Sequence, residues 1–395
     1  MSEIKVNSIK GVGASTAAIT VNNTDGTCTA NITNNLSNRN LIINGAMQVA
    51  QRGTSSTSDG YQTVDRFKLR AQNTDQWAFT QTHEDVAVNE APFYTDGFRK
   101  YYDIQTTTIE TSLDADEYVD IFQRIEANNT VHLGYGQSGG TAKTLTLSFW
   151  VRAYQTGTYG FYLYLYGGKM QTKAYTINAS NTWEKKTIKI EPDGADAQLP
   201  STAYSLQCGW LLAAGTNYTG GSNSTSYIAY ANANFAAGQT GQITASTNNY
   251  FHLTGVQLEV NSTGVARDYD HMSFAQELQL CNRYYYDHLG PSPETDFAFA
   301  VGSKYNSNLN FCVVNFPVQM RAVPTLESST TTDSFYKIIN GGVDNYADHA
   351  MSKGGRTGAR IYPNNGNDDV GSSGQSVVLH ANNTSACQLR FNAEL

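Results

Sequence analysis

Four carboxylates close together in the chain are the first residues that could do chemistry: Asp114, Asp116, Glu117 and Asp120. Hydrolysis of a glycosidic bond needs two carboxyl groups on either side of a sugar, one with a raised pKa, and closeness in sequence does not supply that geometry. A calcium-binding EF-hand loop needs glycine at its sixth position, where this segment has Val119. We therefore expect these carboxylates to lie on a solvated strand or loop edge.

No other segment matches a catalytic or metal-binding motif. The chain lacks a nucleophile elbow, a P-loop, a dinucleotide-binding fingerprint and an HExxH sequence, and its seven histidines are dispersed. Asp368 and Asp369 are interpreted as solvated, like the first cluster. The sequence therefore predicts a protein that is not an enzyme and that has no metal site and no cofactor.

Aromatic side chains are the next candidates, because their faces stack on sugar rings and also fill protein interfaces. In two predicted strands, aromatic residues alternate with apolar residues of the core: Trp150, Tyr162, Tyr164 and Tyr166. A large exposed aromatic patch would be a liability in a free monomer. Two interpretations stay open: an interface, formed by trimer contacts or domain packing, or a platform for a glycan.

A second candidate site lies near the end of the chain. Residues 340–375 are rich in Gly, Asn, Asp and Ser, as in loops carried by a rigid sandwich, where recognition usually occurs. Five side chains within this stretch are candidate ligand-binding residues: Tyr346, His349, Arg356, Arg360 and Tyr362.

One structural ion pair is also expected. Asp65-Arg66 and Arg124-Ile125-Glu126 fit opposite positions inside a sandwich. We predict that Arg124 pairs with a carboxylate, with Asp65 as the first candidate.

Composition limits the partners of the chain. Charged residues make up 15% of the 395 residues, and there are 34 glycines and 25 tyrosines, which is typical of sheet edges, turns and hydroxyl-rich surfaces. The net charge of -8 argues against binding to nucleic acid or to an anionic membrane surface. It also favours a neutral or cation-bridged polysaccharide over a strongly anionic one.

The cysteines and the N-terminus indicate synthesis in the cytosol. The five cysteines are scattered, with no C-x-x-C spacing, so buried thiols are expected, although a hidden disulfide stays possible. The chain shows no secretory signal pattern and no apolar run long enough to insert into a membrane.

Hydrophobic alternation and turn clusters predict an all-β chain in three parts. Residues 1–40 have few large apolar side chains and are expected to be an anchoring or assembly segment, with a disordered leader as the alternative. Residues 41–290 form the predicted sandwich domain, which ends in a helix. Residues 291–395 form a smaller C-terminal β domain after the linker Gly290-Pro291-Ser292-Pro293.

The stretch 251–286, FHLTGVQLEVNSTGVARDYDHMSFAQELQLCNRYYY, shows both types of periodicity. Its apolar alternation slips by one residue at Thr254-Gly255, which predicts a β-bulge. Phe274, Leu278 and Cys281 then recur at helical spacing, with Tyr285 as the next member of the set, and predict one short helix near 272–288.

This stretch resembles a block found in the jelly-roll, carbohydrate-binding-module-like sandwich of bacteriophage tail-fibre and other virion proteins. Further segments carry the same resemblance: LIINGAMQVAQRG at 41–53, VDRF at 64–67, LTLSFWV at 145–151, WEKKTIKI at 183–190 and FNAEL at 391–395. The resemblance implies a jelly-roll sandwich, a homotrimer and a place in the virion, at the tail or particle surface. It also implies that residues 1–40 contact other virion proteins.

The function expected from these observations is non-catalytic attachment of a phage to glycan on the host surface, with residues 291–395 as the candidate receptor-binding tip. Several linked tips would gain about 100-fold in avidity from effective concentration. Two alternatives stay open: a capsid-surface or tail component that binds only other virion proteins, and a capsule polysaccharide depolymerase.

Overall fold

The computed structural model describes residues 7–10, 12, 19–22, 24, 28–30, 39–90, 92–136, 142–194, 201–290, 295–306, 309–328, 335–363, 371–384 and 387–395. Near the start of the chain, three short antiparallel strands pair in sequence order: β1 (Ser8–Ile9), β2 (Ile19–Val21) and β3 (Cys28–Ala30). Most of the predicted anchoring segment 1–40 lies outside the described residues, and its role stays a prediction.

Twelve strands form a sandwich of two six-stranded antiparallel sheets. The strands are β4 (Ser55–Ser56), β5 (Lys68–Gln72), β6 (Ala78–Asp85), β7 (Lys100–Thr108), β8 (Tyr118–Glu126), β9 (Leu145–Ala153), β10 (Gly157–Leu165), β11 (Lys169–Ile177), β12 (Glu184–Ile190), β13 (Tyr204–Ala214), β14 (Ile228–Ala229) and β15 (Tyr250–Val260). The first sheet has the order β14-β11-β10-β13-β8-β5, and the second has the order β12-β9-β15-β7-β6-β4. A single helical turn, α1 (Thr216–Thr219), follows β13. The predicted all-β jelly-roll sandwich is confirmed.

The core lies between the two sheets, where alternate residues of each strand point inward. The inward residues of β9 and β10 are the ones that the alternation indicated, and all are buried: Leu145, Leu147, Phe149, Val151, Tyr159, Phe161, Leu163 and Leu165. Burial of each such side chain stabilises the fold by about 1.5–3 kcal/mol. Consequently the remaining residues of β10 face outward, away from this core.

The predicted β-bulge is present in β15. The register between β15 and β9 shifts between Thr254 and Gln257, and Gly255 has a positive φ of 61°. A Cβ at Gly255 would also lie 2.9 Å from the rings of Phe98 and Trp150. Backbone conformation and close packing therefore both require glycine here.

The predicted helix near 272–288 is shorter than expected. Helix α2 (Phe274–Asn282) begins at Ser273, which forms a capping box with Gln276, and Tyr285 already belongs to strand β16 (Tyr285–Asp287). The inference that Tyr285 continues the helical stripe is wrong, because pairing with a strand from the end of the chain replaces the next helical turn. Phe274, assigned to the same stripe, is 56% exposed.

Nine further strands build the C-terminal part. They are β17 (Ala298–Asn306), β18 (Leu309–Asn315), β19 (Thr325–Ser328), β20 (Tyr336–Ile339), β21 (Val343–Tyr346), β22 (His349–Gly354), β23 (Gly358–Pro363), β24 (Ser376–Ala381) and β25 (Leu389–Asn392). A seven-stranded sheet has the order β21-β20-β24-β17-β18-β23-β22, and a three-stranded sheet has the order β16-β25-β19. They enclose a second, smaller core. Most of the predicted linker, residues 291–293, lies outside the described residues.

Buried charges join the sandwich to the C-terminal part, but with different partners from those predicted. Arg66, which is 1% exposed, pairs with Glu394 and donates to the backbone oxygen of Arg124. Asp65 is also buried, and its carboxylate accepts hydrogen bonds from the backbone and side-chain amides of Gln51.

The predicted Asp65–Arg124 pair is therefore wrong. The guanidinium nearest to Asp65 in the described residues is that of Arg52, at 3.8 Å, and Arg124 donates to Gln207 instead. The physical reason is the direction of the strand side chains, because Arg124 points to the outer face of the first sheet, away from the core.

Cys208, Cys281, Cys312 and Cys387 are buried thiols rather than half-cystines, as expected. The side chain of Cys28 lies outside the described residues. Neither helix in the described part of the chain has the length and apolar character needed to cross a bilayer.

Candidate functional site

The register of four neighbouring strands places a set of polar and aromatic side chains side by side on the outer face of the first sheet. Tyr164 of β10 lies opposite Gln207 of β13, which lies opposite Arg124 of β8. Four residues earlier in β8, Asp120 lies opposite Arg70 of the next strand, β5. Because alternate residues share a face, short-range alternation in each strand is enough to assemble this surface.

A continuous hydrogen-bond network forms the floor of the site. Arg70 donates to both oxygens of Asp120, over 2.9 and 2.7 Å, and the Tyr162 hydroxyl donates to Asp120 Oδ2 over 2.6 Å. The Gln207 amide donates to the Tyr162 hydroxyl over 2.7 Å, and Arg124 Nε donates to Gln207 Oε1 over 2.9 Å. The network fixes both guanidinium groups in place.

A glycine makes room for this floor. Gly209 lies opposite Tyr162, and a Cβ at Gly209 would lie 2.3 Å from the Tyr162 ring. The ring therefore lies across the neighbouring strand, where its hydroxyl reaches Asp120. Phe235 packs on the Tyr162 ring with a centroid distance of 4.7 Å and closes one side.

Aromatic side chains form the walls of an open cleft of about 240 Å³ above the network. We call it the tyrosine cleft, and its lining residues are Arg70, Tyr118, Arg124, Tyr162, Tyr164, Tyr204, Gln207, Tyr230 and Phe235. Tyr164 and Tyr204 are half-buried, and Tyr230 is 41% exposed. Exposed ring faces beside fixed polar groups are typical of a binding site for a small polar ligand.

The cleft is electropositive although the chain as a whole is acidic. Burial alone would lower the pKa of Arg70, but the Asp120 carboxylate outweighs this effect and raises it. Arg124 stacks on Tyr204, with 4.6 Å between the guanidinium carbon and the ring centroid, and its side-chain partner in the described residues is the neutral Gln207. Burial, followed by the charges of Arg124 and Arg70, lowers the pKa of nearby Lys68.

The three tyrosines predicted as an interface or a glycan platform have three different environments. Tyr162 is 1% exposed and belongs to the floor, Tyr164 lines the wall, and Tyr166 is 62% exposed at the rim, edge-on to Tyr204 at 5.2 Å. The outward direction predicted for them is correct. The burial of Tyr162 could not be read from alternation, because it depends on the distant segment that contains Phe235.

Trp150, the fourth member of that predicted set, lies in the other sheet. Its ring is 8% exposed and packs against Phe93, 5.5 Å away between centroids, in a cluster with Phe98 and Trp183. We call these four side chains the tryptophan cluster. Trp150 therefore packs within the chain, as the domain-packing alternative expected, and does not share a surface with the tyrosines.

The candidate residues of 340–375 do not form recognition loops in the described part of this stretch. Tyr346 and His349 are buried in the C-terminal core, with the Tyr346 hydroxyl 2.9 Å from His349 Nε2, and burial lowers the pKa of His349 to about 3. Their prediction as surface ligand-binding residues is wrong, because they belong to β21 and β22.

Arg356, Arg360 and Tyr362 are half-buried. Arg356 donates to the backbone oxygen of Met320, and Arg360 lies 3.7 Å from the Phe311 ring centroid. Arg360 and Tyr362 belong to β23. The contacts of the two arginines are those of side chains that hold strands together.

The carboxylate cluster also differs from its prediction. Asp114 and Asp116 are exposed, as expected for a solvated edge, but Asp120 is 0% and Glu117 2% exposed. Asp120 is buried because β8 is a central strand, and Arg70 compensates its charge. Asp368 and Asp369 lie outside the described residues.

Six of the nine residues that line the cleft were not identified from the sequence: Arg70, Tyr118, Tyr204, Gln207, Tyr230 and Phe235. A signal existed in β8, where Tyr118, Asp120, Phe122 and Arg124 alternate with buried Val119, Ile121 and Ile125. Assigning those four residues to one outward face would have placed Asp120 on the same face of the sheet as Arg124. The pairing of β8 with β5 and β13 could not be inferred from that pattern.

A larger cavity of about 460 Å³ lies beside α2, where Gln276, Gln279, Leu280 and Arg283 face Val318 and Gln319. Its walls carry no aromatic ring among the described lining residues. There, Gln276 is engaged in the capping box and Arg283 in an ion pair with Glu126, so the tyrosine cleft, with its exposed rings, is the better candidate for specific binding.

No protein-family model matches the chain, and no curated protein matches it. Solved structures that are similar to it include the enzymatically active domain of tailspike protein 4 from bacteriophage CBA120, with 12% identity over 56% of this chain, 21% of that chain and a TM-score of 0.30. A putative sugar binding protein from Bacteroides thetaiotaomicron has 9% identity over 56% of this chain and 100% of that one, with a TM-score of 0.29.

The family 11 carbohydrate-binding module of the cellulase Lic26A-Cel5E from Clostridium thermocellum has 11% identity over 53% of this chain and 96% of that one, with a TM-score of 0.26. The chain thus spans about a fifth of the length of the tailspike structure and nearly the whole of the two sugar-related structures. These are likenesses of the β-sandwich fold.

Proposed function

We propose that this protein is a phage attachment protein that binds glycan of the host surface in the tyrosine cleft, without cleaving it. The observation that carries the proposal is the cleft itself, in which exposed ring faces stand beside a fixed network of hydrogen-bond donors. Tyrosine rings stack on the C–H faces of sugars, and guanidinium and amide groups donate to sugar oxygens. The phage assignment is supported by the resemblance of 251–286 and the other quoted segments to virion proteins.

The charge of the cleft changes the expected class of glycan. Net charge alone favoured a neutral polysaccharide, but Arg124 presents a guanidinium whose side-chain partner in the described residues is uncharged. Arginine recognises carboxylates through paired hydrogen bonds. The glycan that fits best therefore carries a carboxylate, as uronic and nonulosonic acids do.

The non-catalytic part of the proposal is supported by the lining of the cleft. None of the described residues that line it is a carboxylate, and the nearby Asp120 is engaged on both oxygens. Glycoside hydrolysis by the usual route needs two carboxyl groups across the sugar. The floor of the cleft thus binds and orients without supplying an acid and a base.

A small cleft binds weakly on its own, so attachment depends on several copies. We propose a homotrimer held in the virion through residues 1–40, in which linked clefts gain about 100-fold or more in avidity. Three copies of one cleft on one particle would convert millimolar contacts with single sugars into stable adhesion.

The test is binding of the purified full-length protein to an array of neutral and acidic host-type oligosaccharides. We expect retention on acidic glycans, and a loss of about tenfold or more in affinity for Tyr164→Ala, since a wall ring contributes about 1.4 kcal/mol or more. Tyr305→Ala is the matched control, because Tyr305 is 64% exposed on the C-terminal sheet. The same protein should block infection when added in excess.

Other outcomes would contradict parts of the proposal. Equal affinity of Tyr164→Ala and the wild type would remove the cleft as the binding site. Release of reducing ends from a bound polysaccharide would show the depolymerase alternative. Absence of glycan binding together with normal infection in the presence of excess protein would favour a purely structural virion component.

A truncation after Gly290 is a poor test of the C-terminal tip. It would remove β25, the partner of β16, and Glu394, the partner of buried Arg66. Loss of binding would then reflect an uncompensated buried charge as readily as a lost receptor site. Point variants of exposed residues on the C-terminal surface avoid this ambiguity.

A further inference from the structure

Three carboxylates that are distant in sequence meet at one end of the sandwich. Asp75 lies in the connection between β5 and β6, Glu110 follows β7, and Glu117 directly precedes β8. Their carboxylate oxygens lie within 4.8 Å of one another. The sequence predicted no metal site, since these residues do not form a motif along the chain and are brought together by the pairing of strands.

Glu110 provides an independent sign of a ligand. Its side chain is 4% exposed, and its Oε2 atom has no hydrogen-bond partner although it lies in the cluster. A buried carboxylate oxygen without a donor costs free energy, and a bound cation would remove that cost.

We propose that Asp75, Glu110 and Glu117 bind a calcium ion that clamps the β5–β6 and β7–β8 connections together. All donors are carboxylate oxygens, which hard cations prefer and which disfavour zinc. Calcium accepts irregular oxygen shells completed by water, whereas magnesium demands near-ideal octahedral geometry, so three carboxylates from two connections suit calcium better. Exposed Asp75 leaves room for water to complete the coordination.

The backbone around the cluster already holds the ligands in position. The Asp114 N–H donates to Glu117 Oε2 over 2.6 Å, and the Glu110 N–H donates to the Thr244 oxygen over 2.9 Å. Glu117 is followed by Tyr118, which lines the tyrosine cleft. The clamp therefore fixes the start of the strand that carries Asp120 and Arg124. The proposal itself does not depend on what the cleft binds.

The test uses full-length protein that has been stripped with a chelator and titrated with calcium by calorimetry. We expect one site per chain, a higher melting temperature with calcium, and at least about tenfold weaker binding for Asp75→Asn and Glu110→Gln. Glu84→Gln is the matched control, since Glu84 is exposed on β6 outside the cluster. Magnesium should bind at least about tenfold more weakly than calcium.

Emission from terbium bound in place of calcium would show where in the protein the ion lies. Trp77 follows Asp75 by two residues, and its indole N–H donates to Thr106 of β7, the strand that leads to Glu110, so terbium in the site should show emission excited through tryptophan. Trp77→Phe should lose most of that emission and still bind calcium. If Glu110→Gln does not fold, the calcium affinity of Asp75→Asn tests the proposal instead, because substitution of exposed Asp75 should leave the fold intact. Failure of the wild-type chain to bind calcium or terbium at millimolar concentration, or unchanged affinity in Asp75→Asn, would overturn the proposal.

Discussion

The tyrosine cleft and the tryptophan cluster occupy equivalent positions on opposite faces of one sandwich, yet one is open and the other is closed. Both begin with aromatic residues on the outward side of a strand, Tyr164 in β10 and Trp150 in β9. Over Trp150, the connection between β6 and β7 folds back with Phe93 and Phe98 and fills the surface. Over the first sheet, Phe235 covers Tyr162 and leaves the rest accessible.

The difference shows that outward aromatic residues do not identify a binding site by themselves. Outward aromatic residues form a candidate binding site only where no connecting segment covers them and where polar groups are fixed between them. In the cleft, Arg124 and Gln207 lie among ring faces. The tryptophan cluster is apolar apart from its two indole N–H groups, of which that of Trp183 donates to Glu90 over 2.8 Å. Variants of the tyrosine cleft should therefore change glycan affinity, and variants of the tryptophan cluster should change only the stability of the fold.

Trp150→Ala should have the largest effect, and the effect should be on stability alone. Removal of a buried tryptophan costs about 3–5 kcal/mol through lost burial and a residual cavity. Chemical unfolding would measure that loss, while the glycan affinity of the folded variant stays unchanged. Tyr154→Ala, at a 40% exposed position directly after the same strand, is the control. Lost affinity with intact stability would show that the closed face is the functional one.

Gly209→Ala should damage both stability and recognition. The new methyl group must displace the Tyr162 ring, which breaks its hydrogen bond to Asp120 and costs about 1–3 kcal/mol. Denaturant titration and glycan binding should both reveal the change. Gly194→Ala meets open space and serves as the control. A neutral Gly209→Ala variant would show that the floor of the cleft does not need the observed position of Tyr162.

Arg124→Gln should act on selectivity. Loss of a charged hydrogen-bond donor should reduce affinity for carboxylate-bearing glycans about tenfold and leave affinity for neutral ones nearly unchanged. Arg124→Lys should restore part of the affinity, because it keeps the charge and loses the fork geometry. Arg360→Gln is the matched control, as Arg360 also stacks on a ring. An equal loss of affinity for acidic and neutral glycans would show that Arg124 does not select for a carboxylate, and a neutral polysaccharide would again be the expected ligand.

The smallest effect on stability at neutral pH is expected for substitution of His349. Burial lowers its pKa in the folded chain to about 3, below the ordinary value near 6.5. The stability that the neutral ring contributes is therefore present above pH 6.5 and is lost as the pH falls towards 3, since the unfolded chain binds the proton more readily. His349→Gln should flatten the dependence of the unfolding midpoint on pH between 6.5 and 4. The same flattening in a variant of exposed His132 would contradict this account.

The periodicity of apolar residues along the chain was sufficient to predict most of the fold. Alternation in 145–151 and 159–165 identified the core faces, and the phase slip at Gly255 identified the bulge. The helix was placed correctly but extended too far, because the pairing of Tyr285 with the last strand depends on a partner about a hundred residues away in sequence. Three-dimensional pairing, rather than propensity, sets that boundary.

The candidate site was less accessible to sequence reasoning. Tyr164 and Tyr166 were identified from alternation, but their neighbours come from β5, β8 and β13, whose order in the sheet no single segment reveals. Tyr346 and His349 were misplaced because a Gly- and Asn-rich composition suggests loops, whereas short strands in that stretch bury them. The charge of the cleft was also hidden, since net charge averages over all surfaces.

The most direct measurement is a crystal structure of the full-length protein with the acidic oligosaccharide that binds best. We expect a sugar ring stacked on Tyr164 or Tyr204, with its carboxylate at hydrogen-bond distance from Arg124. A sugar bound on the C-terminal sheet, or over the tryptophan cluster, with the tyrosine cleft empty would contradict this expectation.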